Sequence, residues 1–281
     1  MKKILIPLVS IFLLASCNTT KIFYNYGDFL ISWQVDNYFD LTDTQTEWIE
    51  KKSRFHLDWH RKKELPNYKE FLTKIKENAI DGVSMSELEN AFSMYETSRD
   101  KIFERLTPDI AVFLASLSNE QINFLEKKMI EENEEMKTID EDNKKKLQKR
   151  KEYFFEQMEN WFGEFSEIQL DQLNELQNKW FLGSSQNSKN RMKLRIKSQN
   201  EFLSILRSNP DELMIDNWLR QWTFDMVNSS NKKRKERILV NKKRILEVDK
   251  ILTYDQRLKA IQKLDYWIKI IEETIEGSKI L

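Results

Sequence analysis

The 281-residue chain carries 46 basic and 46 acidic side chains, 33% charged and 12% aromatic residues, with only 5 Gly and 4 Pro. A balanced charge excludes a dedicated polyanion binder, and the apolar and aromatic content excludes a disordered chain. So few Gly and Pro exclude a fold rich in tight turns and favour long helices.

The chain opens with Met1-Lys2-Lys3, followed by the charge-free run Ile4 to Leu14. As a helix this run reaches roughly 17 Å, against about 30 Å for a hydrocarbon core, so it reads as a signal h-region and not a membrane span. It ends in Leu14-Ala15-Ser16-Cys17, a tetrapeptide that resembles the bacterial lipobox. The resemblance implies cleavage before Cys17, a diacylglyceryl group on its thiol, and three acyl chains on the mature N-terminus. Two chains are enough for stable anchoring at about 0.8 kcal/mol per buried methylene. Cys17 is the single cysteine, so no disulfide staples the body. Asn18 follows it in place of the Asp that, in lipoprotein sorting, favours the inner membrane. The expected address is therefore the outer membrane, facing the periplasm. Residues 1–16 are the expected signal peptide and 17–281 a lipid-anchored helical domain with a formal charge of −2, after loss of Lys2 and Lys3.

Helix starts follow in chain order. Ser or Thr at the N-cap with Glu or Gln three residues later lets each satisfy the other's orphan backbone N–H. This box occurs at Thr42/Gln45, Ser84/Glu87, Ser118/Gln121, Ser166/Gln169 and Thr253/Gln256. A start is also expected at Asn209-Pro210-Asp211-Glu212, with Pro210 as the first helical residue, and another at Thr107-Pro108-Asp109. Pro66 is expected to break a helix at Leu65 and open the next one. Apolar residues between the starts recur at helical spacing, as in Phe113, Leu114, Leu117, Phe124 and Leu125. Gly183 to Lys189 reads as a linker and possible subdivision, and Asn228-Ser229-Ser230-Asn231 as a second polar break. The fold class is all-α: an elongated bundle or curved array of roughly eight to ten helices.

The densest chemistry lies near the N-terminus. Trp33, Asp36 and Asp40 precede the first capping box, and Trp59-His60-Arg61 with Glu64-Leu65-Pro66 and Tyr68 follow it. One helical turn brings His60, Arg61 and Glu64 together. With Trp33, Asp36 and Asp40 they form the candidate polar cluster. Its leading reading is packing, with His60 and Arg61 paired to carboxylates such as Asp36, Asp40 or Glu64, and with His60 to Lys63 supplying cations to a helix C-terminus. The alternative is a pocket, enzymatic or metal-binding, around His60, Arg61 and Glu64. His56 and His60 share a face at i, i+4, as in helical zinc sites, but no His-Glu-x-x-His occurs. No catalytic residue, metal or cofactor is expected.

This region is similar to a family of Gram-negative lipoproteins of unknown function, which carry Trp-x-x-Asp-x-Tyr-x-x-Leu-Thr and then Trp-His-Arg-x-x-Glu-Leu-Pro-x-Tyr. Here those are Trp33, Asp36, Tyr38, Leu41 and Thr42, then Trp59, His60, Arg61, Glu64, Leu65, Pro66 and Tyr68. The resemblance implies architecture and envelope location and no activity. Leu41-Thr42-x-x-Gln45 and Leu252-Thr253-x-x-Gln256 also resemble the Leu-Thr-x-x-Gln motif of the Spy and CpxP periplasmic chaperones.

Most of the eight Trp, including Trp218 and Trp222 at i, i+4, read as core; exposed ones could grip unfolded clients or glycan. The basic run Lys232 to Arg237 reads as a solvated face or one towards anionic head groups. The expected function is a non-enzymatic structural, binding or chaperone-like module. Its expected partners are the membrane and envelope proteins or unfolded clients, with no nucleic acid.

Overall fold

The computed structural model describes residues 17–140, 143–181, 186–227 and 232–277. The signal segment 1–16 and the polar break 228–231 lie outside them. Among the described residues every regular element is helical and no strand occurs. In chain order these are α1 (Cys17–Phe39), α2 (Asp43–Trp59), a π turn (His60–Glu64), α3 (Leu65–Asn78), α4 (Met85–Ala115) and α5 (Asn119–Asp140). Then come α6 (Asn143–Phe162), α7 (Glu167–Phe181), α8 (Gln186–Arg207), α9 (Glu212–Val227), α10 (Lys232–Asp249) and α11 (Tyr254–Glu276). The π turn joins α2 and α3 into one continuous rod, so the helix number matches the expected eight to ten. Of the expected linker, 186–189 is already the first turn of α8, and 183–185 lies outside the described residues.

All five capping boxes form. Thr42 and Ser84 accept from the N–H of Gln45 and Glu87, whose side chains return to the cap N–H. Ser118/Gln121, Ser166/Gln169 and Thr253/Gln256 make the same reciprocal pairs.

The three proline expectations need correction. Pro108 starts no helix and lies inside α4. Buried Leu88 before it and Ala111, Phe113 and Leu114 after it carry one packed face across the proline, while the Thr107 hydroxyl donates to Phe103 O at 2.6 Å. Packing there outweighs the roughly 3 kcal/mol cost of an interior proline. Pro66 breaks nothing. The Leu65 N–H reaches back five residues to His60 O, and this widened turn admits a ring that would clash with the carbonyl four residues back in a regular helix. Arg61, Lys62 and Lys63 therefore sit at no helix terminus. The cap of α9 is Asp211, whose carboxylate accepts the Met214 N–H at 2.7 Å. Pro210 precedes the helix, and Asn209 takes the left-handed conformation at φ 53° that ends the previous segment.

The chain divides into two compact units: residues up to Lys74 with those from Leu264 onward, and Ile75–Lys263. In the first, α1 and α2 form an antiparallel hairpin: Arg54 pairs with Asp28, and Ser32 donates to Glu50. Gly27 permits the close approach, since a Cβ there would lie 2.8 Å from Leu57 Cδ1. Buried Tyr24, Leu65 and Ile271 form the core, with Phe23, Leu57, Tyr68, Leu72 and Ile275 against them.

In the second unit α4 packs on α9 and α10, and α5 on α8. Leu173 and Ile215 are fully buried. Phe202, Trp218 and Trp222 stack in sequence, with centroids 5.4 and 6.3 Å apart. From the basic run, Arg234 alone of the described side chains turns to α4 and donates to Glu96 at 2.7 Å, while Lys235, Glu236 and Arg237 are exposed, as a solvated face requires. The boxes opening α7 and α11 also bind each other: Gln169 Nε2 donates to Gln256 Oε1 and Ile251 O, and Gln256 Nε2 to Glu164 O.

Candidate functional site

The π turn places His60 on the hairpin's inner side, against Tyr24 of α1 and Tyr68 of α3. Tyr24 Oη lies 2.6 Å from His60 Nδ1, and Tyr68 Oη 3.3 Å from His60 Nε2. A neutral imidazole has one donor and one acceptor nitrogen, so it sits between two phenols with both ring nitrogens engaged. Burial pushes the His60 pKa down to about 4, because a charged ring there would lose its hydration. Burial and the Glu64 carboxylate push Tyr68 up to about 12. Burial chiefly, with Tyr68 beside it, raises Tyr24 well above the ordinary phenol value, and Arg61 opposes that shift. The site is thus held neutral at its centre across the physiological range.

Arg61 closes one side. Its Nη2 donates to Tyr24 O at 2.7 Å, and its guanidinium lies 5.2 Å from the Tyr24 ring centroid, a cation–π contact. Glu64 is buried at the end of the π turn. The structure therefore brings His60, Arg61 and Glu64 together with two tyrosines.

The other candidate residues lie at the far end of the hairpin. The Asp36 carboxylate accepts the Leu41 N–H at 2.9 Å, and Asp40 takes a left-handed turn at φ 49°, so both shape the end of α1. Trp33 is half exposed. Cys17 begins α1. Among the described residues no group of three or more His, Cys, Asp or Glu could hold a metal ion.

Sequence reasoning missed the role of Tyr24. It lies 36 residues from His60, and only the hairpin register joins them. Tyr68 stood within the motif, eight residues from His60, and a π turn followed by a helix returns it to the same side.

An open cleft of about 420 Å³ lies in the second unit, lined by Glu126, Asn200, Leu203, Ser204, Arg207 and Ser208. Arg207 Nη2 donates to Glu126 at 2.6 Å, and the Ser208 hydroxyl donates to Ile205 O. Its charged groups bind each other, and Ser208 faces a carbonyl where a nucleophile would need a base.

Comparison with curated proteins and with solved structures gives no significant match. A family model does match, over residues 37–226, a span that holds Asp40, His60, Arg61 and Glu64 and begins after Cys17, Trp33 and Asp36. The chain belongs to the family of unknown function DUF6279.

Proposed function

We propose that the chain is an envelope lipoprotein, anchored through acyl groups on Cys17 at the outer membrane and facing the periplasm, and that its helical body is a non-enzymatic structural, binding or chaperone-like module. The observation that carries the non-enzymatic reading is the commitment of His60. A general base must present a lone pair, and a general acid a proton, to a substrate. Both His60 nitrogens instead face tyrosines of the same unit, within 2.6 and 3.3 Å. Support for the anchor is the Leu14-Ala15-Ser16-Cys17 sequence after a short charge-free run. No described helix is long and apolar enough to cross a membrane.

The test combines mass spectrometry of protein purified from cell membranes with crosslinking in intact cells. The expected N-terminal peptide begins at a multiply acylated Cys17, and Cys17→Ser leaves the precursor unprocessed. Crosslinking is expected to yield envelope proteins. An unmodified Cys17 refutes the anchor. A turnover abolished by His60→Ala, with the helical fold retained, refutes the non-enzymatic reading.

A further inference from the structure

Helix α1 is apolar on two faces. The face it turns to the hairpin carries buried Thr20, Tyr24, Gly27 and Ser32, with Phe23, Ile31 and Val35 half-buried beside them. Ser32 donates to Phe29 O and to Glu50, and Asp28 is taken by Arg54. The opposite face carries Ile22, Tyr26, Phe29, Leu30 and Trp33, all exposed, with Tyr26, Phe29 and Trp33 showing more than half their surface. At 3.6 residues per turn these five fall within an arc of roughly 100° and span about 16 Å of helix. No charged residue of α1 falls in that arc. A helix that packs one face on its own unit and presents a second, aromatic face outside carries an apolar stripe that a body surrounded only by water does not need.

We infer that this stripe is a membrane-contact surface and that α1 lies in the headgroup region of the bilayer holding the anchor. The inference rests on the lipid reading of Cys17. That residue is the first of α1, and Ile22 follows five positions later, about 7 Å along the axis. Acyl chains emerging from Cys17 therefore bring the bilayer to the end of the helix where the stripe begins. Tyr and Trp with apolar neighbours match the interface, where one end of the ring is apolar and the other wet. The helix does not qualify as a membrane span. An apolar stripe on one face, with the other packed on its own unit, defines a helix that lies on the surface and not through it. Pairing by α2 keeps the packed face turned away from lipid.

Acylated Cys17 would leave the mature chain without a free thiol, since no other cysteine exists. Phe29→Cys in the full chain then gives one labelling position on the stripe, and Tyr153→Cys gives an exposed control in the other unit. Each lipidated protein is spin-labelled and reconstituted in vesicles of phosphatidylethanolamine and phosphatidylglycerol. Accessibility to a water-soluble relaxation agent is compared with accessibility to oxygen, and circular dichroism verifies the fold. The expected result is a several-fold loss of aqueous accessibility, with a gain towards oxygen, at position 29 and not at 153. Equal aqueous accessibility at both positions, with Cys17 acylated by mass spectrometry, overturns the surface and leaves the anchor standing. Shielding of position 29 in cells but not in vesicles overturns it in favour of a protein cover. An unmodified Cys17 removes the anchor and this inference together.

Discussion

In the first unit a buried imidazole sits between Tyr24 and Tyr68, whereas in the second two capping-box glutamines, Gln169 and Gln256, bridge the starts of α7 and α11. Both networks bury polar atoms and satisfy them with neighbours, as a low-dielectric interior demands. They differ in what can disturb them. The imidazole can take a proton, and doing so would place a charge among phenols away from water. The amides cannot titrate. The same rule of burial thus yields one network sensitive to acid and one indifferent to it.

Acid is the sharpest way to separate them. Unfolded His60 takes its proton near 6.5, and the folded residue only near 4. Between those values the unfolded state binds more protons, so stability falls as pH falls. The contribution is complete above about pH 6.5 and lost by about pH 4, and amounts to about 3 kcal/mol. Denaturant melts of wild type and His60→Gln across that window are expected to show a shallower pH slope in the variant. Identical slopes would mean that His60 is not held neutral.

Gln256→Ala breaks the other network. It removes the return arm of the Thr253 box, the donation to Glu164 O and the partner of Gln169. The expected loss is about 2 kcal/mol, independent of pH. Thr42→Ala, which breaks an exposed capping box at the start of α2, should cost about 1 kcal/mol. Equal losses in chemical denaturation would show that the bridge adds nothing to capping.

Within the first network, the two phenols differ in turn, and Tyr68→Phe is the smallest effect expected. Tyr24→Phe removes the shorter contact and leaves His60 Nδ1 buried, at about 1.5 kcal/mol; Tyr68→Phe removes the 3.3 Å contact, at about 0.5 kcal/mol. The reverse order in thermal melts would place the stronger bond on Nε2.

The five capping boxes and the all-helical class were legible in the sequence because both depend on residues within a turn or two of each other. Asp211 was harder, because Asn209 and Asp211 are both good caps and a proline lies between them. Pro66 and Pro108 were misread for a physical reason: local chemistry states the cost of a proline in a helix, and only the surroundings show what offsets it. At Pro66 the offset is a π turn; at Pro108 it is a packed face on both sides.

The candidate site divides along the same line. His60, Arg61 and Glu64 share one turn of chain, so their proximity follows from sequence spacing alone. Tyr24 joins them through the antiparallel register of α1 and α2, with Leu57 packed over Gly27 where a Cβ would crowd its methyl. The stripe on α1 shows the limit most clearly. Apolar and aromatic residues occur on both sides of α1, so helical spacing does not tell which of them face inward. The tertiary structure decided it: Tyr24 and Phe23 pack with Leu57, Leu65 and Ile271 on the inner side, where Asp28 and Ser32 also bond Arg54 and Glu50, and the stripe from Ile22 to Trp33 is left outside.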